Sequence, residues 1–128
     1  MKVLVVEDEE RIAAFLAKGL RQRSHTVDVV GIGAEALQVL LTAYPGHDVL
    51  VLDLGLPDID GLEVLRRARE QGVQVPVIVV TARTGGDDRA QARALGVDDY
   101  LVKPFPMNQL LASLDRLDPG LKEAAVSS

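Results

Sequence analysis

The sequence predicts an α/β fold in which five short strands alternate with helices and build one open parallel sheet covered on both faces. Apolar, turn-bounded runs recur at Val3–Val6, Val27–Val30, Asp48–Asp53, Val75–Val80 and Tyr100–Val102. Between them lie stretches whose apolar residues repeat at helical spacing. The third and fourth runs, Val49-Leu50-Val51-Leu52 and Val77-Ile78-Val79-Val80, are apolar at every position instead of alternating. Strands buried on two faces read this way, which requires helices on each side.

The elements follow in order. Ile12, Phe15, Leu16 and Leu20 form the first helical stripe, and Leu37, Leu40 and Leu41 the second. Leu62, Leu65 and Ala68 form the third, with Glu63–Arg67 and Arg66–Glu70 as i,i+4 pairs on its exposed side. The stretch Asp88–Leu95 is different, because its inward candidates are mainly Ala90, Ala94 and Leu95. At ~25 cal/mol per Å², exchanging leucines for alanines removes a few kcal/mol of anchoring. A helix held so lightly is a candidate for movement, with an ordinary alanine-rich surface helix as the equal alternative. Met107, Leu110, Leu111, Leu114 and Leu117 make the last stripe, and Pro119-Gly120 stops it. Right-handed βα crossovers then give one domain over residues 1–117, and 118–128 read as a flexible tail or the start of a linker.

Composition narrows the function. A chain of 128 residues is one domain's worth of protein. Zero cysteines exclude disulfides, thiolate zinc sites and cysteine nucleophiles, and His25 and His47 are too few for a histidine metal cage. Both histidines fall near strand starts, opposite the chemistry described next, and read as surface residues. A net charge of −5, from 14 basic and 19 acidic residues, argues against a nucleic-acid or anionic-membrane surface. No apolar run approaches the ~18 residues of a membrane span. The start turns acidic at Glu7 and Asp8, unlike a secretory signal, so a cytoplasmic protein is expected.

Ligands of open α/β sheets bind beyond the carboxyl ends of the strands. Glu7, Asp8, Glu9 and Glu10 follow the first strand, the third ends on Asp53, the fourth on Thr81, and the fifth runs into Lys103-Pro104. Crowded carboxylates repel and raise one another's pKa unless a cation intervenes. Glu7, Asp8 and Asp53 are hard oxygen donors, and a small set of them suits Mg²⁺ that keeps several waters. A carboxylate beside a divalent cation and the Lys103 amine can act as nucleophile toward a phosphoryl group, with Thr81 bonding a phosphoryl oxygen. Taken singly, each residue fits a loop acid, a turn cap or a surface side chain. Their joint placement at strand ends favours the chemistry.

The segments Val5-Val6-Glu7-Asp8-Glu9, Asp53-Leu54-Gly55-Leu56-Pro57-Asp58-Ile59-Asp60-Gly61, Val80-Thr81-Ala82-Arg83 and Asp99-Tyr100-Leu101-Val102-Lys103-Pro104-Phe105 resemble the receiver domain of bacterial two-component response regulators. The resemblance spans residues 1 to about 117 in order and spacing. It implies a flavodoxin-like strand order, 2-1-3-4-5. It implies that Asp53 accepts a phosphoryl group from a sensor histidine kinase or phosphotransfer protein, and that Glu7, Asp8, Asp53 and the Gly55 backbone carbonyl hold Mg²⁺. Thr81 is then the switch hydroxyl, Tyr100 the aromatic that changes rotamer with it, and Lys103 the amine that pairs with the phosphoryl, with a cis Lys103–Pro104 peptide. The signal leaves through helix 4, strand 5 and helix 5 toward an unknown output partner. Such a chain modifies only its own Asp53 and is no enzyme toward other substrates.

In motif detail the closest resemblance is to receivers of the winged-helix transcription factors, which dimerise through that face by reciprocal salt bridges. Arg89 and Asp99 stand at matching positions, but Gln109 and Ser113 replace the usual Glu and Arg, so a monomer or weak dimer is expected. A stand-alone regulator and a receiver excised from a longer chain both fit, and those replacements and the tail lean toward a stand-alone or non-winged-helix regulator without DNA binding of its own. Two rival readings remain. Gly31-Ile32-Gly33-Ala34-Glu35-Ala36 fits a relaxed dinucleotide fingerprint, with Asp53 20 residues beyond Gly33. Glu35 would repel a pyrophosphate there, and that reading leaves Glu7, Asp8, Thr81 and Lys103 idle. A receiver-shaped binding module that is never phosphorylated is the other.

Overall fold

The structure is a computed structural model and describes residues 1–118. Five strands, β1 (Lys2–Val6), β2 (Thr26–Val30), β3 (Val49–Leu52), β4 (Val77–Thr81) and β5 (Asp99–Val102), alternate with α1 (Glu10–Gln22), α2 (Gly33–Ala43), α3 (Gly61–Glu70), α4 (Gly86–Ala94) and α5 (Met107–Leu117). All pair in parallel in the order β2-β1-β3-β4-β5. Strand ends shift by one or two residues from expectation, so Asp53 lies one position past β3 and Thr81 is the last residue of β4. The expected stop at Pro119-Gly120 and the tail beyond Asp118 lie outside the described residues. Among the described residues, no helix is long and apolar enough to cross a membrane.

The pleat sorts the core into two layers. Leu4, Val6, Leu50, Leu52, Val77 and Val79 face α2 and α3. Val3, Val5, Val49, Val51, Ile78, Val80 and Leu101 face α1 and α5. Every residue of β3 and β4 is buried, as their unbroken apolar runs require.

Four expectations need correction. Phe15 and Leu41, assigned to inward stripes, are 53% and 43% exposed, because Leu16 and Leu40 already occupy the contact lines of their helices. On α4, Ala90 and Ala94 point outward and Ala92 is the buried residue. Ala92 lies about 200° around the helix from Ala90, at about 100° per residue, while Leu95 packs against the core as expected. His47 is no surface residue, because its side chain is only 7% exposed and its Nε2 lies 2.8 Å from Asp28 Oδ2. His25 is half-buried and accepts from the Met1 ammonium at 3.0 Å.

Candidate functional site

Backbone ladders carry each candidate residue past the end of its strand. Glu7 N donates to Val30 O at 3.0 Å, Asp53 N to Val6 O at 3.0 Å and Lys103 N to Thr81 O at 2.8 Å. Three residues from three strands are thereby fixed along one sheet edge, beside the β1–β3 junction where the chain reverses its direction of sheet building. Helix α3 closes the site from behind. Gly61 N donates to Leu54 O at 2.8 Å, and a Cβ on Gly61 would lie 2.5 Å from Asp53 O. Only glycine lets α3 start so close to the loop that carries Asp53.

Carboxylate oxygens of Glu7, Asp8 and Asp53 all lie within 4.8 Å of one another. Glu7 and Asp53 are buried and Asp8 is exposed. Lys103 Nζ bridges the two buried acids, 2.8 Å from Glu7 Oε2 and 3.3 Å from Asp53 Oδ2. Burial raises the Glu7 carboxyl above its ordinary value; the hydrogen bond from Lys103 offsets part of that and the Asp53 charge adds to it. Burial also opposes the Lys103 charge, but the hydrogen bond to Glu7 and the Asp53 charge outweigh it and leave the lysine raised. A charged amine therefore clamps a carboxylate that is costly to ionise.

The donor set fits a small hard cation. Three carboxylates against one ammonium leave two negative charges if all are ionised, the charge a divalent ion cancels. Glu7 Oε1 also accepts Glu9 N at 3.2 Å, so both its oxygens are engaged, whereas Asp8 sits at the open rim. Gly55 donates its N–H to Asp53 Oδ1 at 3.2 Å, and a Cβ on this exposed residue would meet nothing within 4 Å.

The structure gathers Glu7, Asp8, Asp53 and Lys103 into one cluster, while Thr81 and Tyr100 both hydrogen-bond to the Arg83 backbone. Thr81 is 1% exposed and its Oγ1 accepts Arg83 N at 3.2 Å. Tyr100 donates its hydroxyl to Arg83 O at 3.0 Å, with the Arg89 guanidinium 4.6 Å above its ring. The Lys103–Pro104 peptide is cis, as the resemblance implied. Asp99 is engaged within its own chain, by Ser113 and, at 2.7 Å, by Arg116 Nη2.

Two residues with structural roles at the rim, Asp60 and Asp58, were not singled out from the sequence. Asp60 caps α3, accepting Leu62 N at 3.0 Å, and also pairs with Arg83. An aspartate directly before Gly61-Leu62 is the signal that marks such a cap. Asp58 accepts Gly33 N at 2.7 Å and Ala34 N at 2.9 Å. A carboxylate from the Asp53 loop thus fills the helix start that the dinucleotide reading reserves for a pyrophosphate. Gly33 is explained by packing, because its Cβ would sit 3.0 Å from Val64 Cγ2 and 3.1 Å from Ile59 O.

Fold and site together define a doubly wound α/β protein with an acidic, lysine-spanned pocket at its strand-order reversal. Residues 3–115 match the response regulator receiver domain model, and the chain belongs to that family, the phosphorylation-activated switches of two-component systems. It is 42% identical over 117 residues to the two-component response regulator PhoP of Pseudomonas aeruginosa, covering 91% of this chain and 51% of that one. It is 44% identical over 119 residues to the transcriptional regulatory protein TcrA of Mycobacterium tuberculosis, covering 91% and 46%. The chain thus spans about half the length of the curated relatives it matches. Among solved structures, the Francisella response regulator 1452 receiver domain superposes with a TM-score of 0.83 at 33% identity, covering 91% of this chain and 94% of that one.

Proposed function

We propose that residues 1–117 form a receiver unit in which Asp53 is the phosphoacceptor, served by a sensor histidine kinase, a phosphotransfer protein or a small acyl phosphate. One observation carries the reading: the Asp53 carboxylate lies 3.3 Å from the Lys103 amine and shares a 4.8 Å cluster with Glu7 and Asp8. An Asp53 oxygen attacks the donor phosphorus, a P–O bond forms, and the donor's P–N or P–O bond breaks. Glu7, Asp8, Asp53 and the Gly55 carbonyl are the groups that would hold Mg²⁺. When bound, that ion supplies charge neutralisation to the transferring oxygens.

The response rests on what the phosphoryl changes. It adds nearly two negative charges and three acceptor oxygens beside Lys103. Lys103 is already charged and already bonded to Glu7, so only the difference between that pair and a phosphoryl pair drives the switch. Thr81 Oγ1 accepts the Arg83 amide and can turn its own O–H toward a phosphoryl oxygen, and its inward step opens room for Tyr100 to turn. Moving the active fraction from 1% to 99% takes about 5.5 kcal/mol. Charge-assisted bonds to Lys103 and Thr81, at ~1.5–3 kcal/mol each before the bonds they replace are subtracted, supply part of it.

The output surface is α4, β5 and α5, the partner being a domain or protein outside this chain. The occupied Asp99 and the residues Gln109 and Ser113 support a monomer or weak dimer there, without DNA binding by residues 1–117. The donors place the unit in the cytoplasm. The chemistry is confined to its own Asp53, so it turns over no separate substrate pool.

Intact-mass spectrometry after incubation with acetyl phosphate tests the reading. The wild type gains one phosphoryl mass when Mg²⁺ is present and none with a chelator, and Asp53→Asn gains none. Equal labelling of Asp53→Asn, or labelling indifferent to the chelator, overturns it.

A further inference from the structure

Among the described residues, the side-chain hydrogen bonds and ion pairs that join the Asp53 loop to the Thr81–Tyr100 pair run through one residue, Arg83. The Arg83 backbone holds both switch side chains, its N–H donating to Thr81 Oγ1 at 3.2 Å and its carbonyl accepting the Tyr100 hydroxyl at 3.0 Å. Its guanidinium crosses to the other loop, where Nη2 reaches Leu54 O at 3.3 Å and pairs with Asp60. Its Nη1 also lies 3.8 Å from Asp88 in the first turn of α4. Asp60 is no loose surface acid, because its second oxygen caps α3 through Leu62 N at 3.0 Å. Leu54 is the residue after Asp53, and Gly61 abuts the Asp53 carbonyl. Neither Thr81 nor Tyr100 can leave its rest position without breaking a bond to Arg83 or carrying Arg83 along.

We propose that Arg83 is a positioning residue that brackets the two loops in the unmodified protein, and that breaking its bridge to Asp60 lets Tyr100 move with no phosphodonor present. A planar fork suits the task, since it meets a carboxylate and a carbonyl together, which a lysine ammonium does less well. The bridge is partly exposed, with side chains 35% and 40% accessible, so it is weak enough for a modification at Asp53 to overcome.

The proposal rests on the preceding reading only for the meaning of Tyr100 movement. The chain has two tyrosines and no tryptophan, so 3-fluorotyrosine labelling gives two ¹⁹F resonances, and Tyr44, at the end of α2, is the internal reference. Asp60→Asn keeps an acceptor for the Leu62 cap while removing the charge. In this variant and in Arg83→Gln, without donor or metal, the population of a second Tyr100 state rises about fivefold over wild type, the most that losing such a pair permits. The Tyr44 signal stays in place, and Arg83→Lys falls between wild type and Arg83→Gln. Combining Asp60→Asn with Arg83→Gln adds little to either alone. A Tyr100 resonance that coincides with wild type in Asp60→Asn and Arg83→Gln, even with a lowered melting temperature, makes the bridge merely structural and overturns the proposal. An Asp53 that accepts no phosphoryl sinks the earlier reading and leaves this test intact.

Discussion

Helices α3 and α4 flank the same loops and are held in opposite ways. Helix α3 buries Gly61, Leu62, Val64, Leu65 and Ala68, has a side-chain cap, and carries Glu63 between Arg66 and Arg67. Helix α4 buries Ala92 alone and has no side-chain cap. Its ends are tied by arginines from elsewhere: Arg83 near Asp88 at one end, and at the other Arg69, whose Nε donates to Leu95 O at 2.9 Å. Core burial resists displacement over its whole area, whereas a few rim hydrogen bonds can be exchanged singly. The helix next to Thr81 and Tyr100 is therefore the one free to respond, and α3 is the frame against which it moves.

The sharpest way to break this contrast is to carve the core under each helix. Leu65→Ala removes a fully buried side chain and costs about 3 kcal/mol in urea denaturation, while Ala92→Gly in α4 costs about 1 kcal/mol. Equal losses would mean that α4 is anchored as firmly as α3. Next in size is Arg69→Met. It leaves the carbonyls of Leu95, Val73 and Val75 without the guanidinium that bonds them at 2.9, 2.9 and 2.8 Å, for an expected loss of about 2 kcal/mol. Amide exchange should rise more in α4 than in α3; a uniform rise would remove Arg69 as the far anchor. The smallest effect is electrostatic. Hydrogen bonds from Arg66 and then Arg67 lower the Glu63 pKa from 4.5 to about 2. The folded value lies below the unfolded one, so this stabilisation is present above 4.5 and fades as pH falls toward 2. The urea-midpoint gap between wild type and Glu63→Gln should close over that interval, by a small amount because the pair is exposed.

The layered sheet was legible because β3 and β4 are apolar at every position, which only a doubly covered strand tolerates. The clustering of Glu7, Asp8, Asp53 and Lys103 was legible because strand ends in a parallel sheet share one edge. Phe15 and Leu41 misled, since helical spacing fixes an apolar arc but not which edge of it the sheet covers. Helix α4 misled for a related reason, because alanines at 90, 92 and 94 give periodicity too little contrast to choose a face. The contacts of Arg83 and Asp58 were invisible for a different cause. They join residues 23 and 25 positions apart in sequence, so only the folded arrangement reveals them.

The Asp58 contact fixes one flank of the acceptor loop. Its carboxylate is pinned to the opening amides of α2, and the hydrogen bonds from Ala34 and Gly33 hold its pKa below the ordinary carboxylate value. On that flank the loop is moored like a door on its jamb, while its far end is held by the Gly61 N–H bond to Leu54, the Asp60 cap on α3 and the Arg83 guanidinium. With both flanks tied, the acceptor keeps its place beside Lys103.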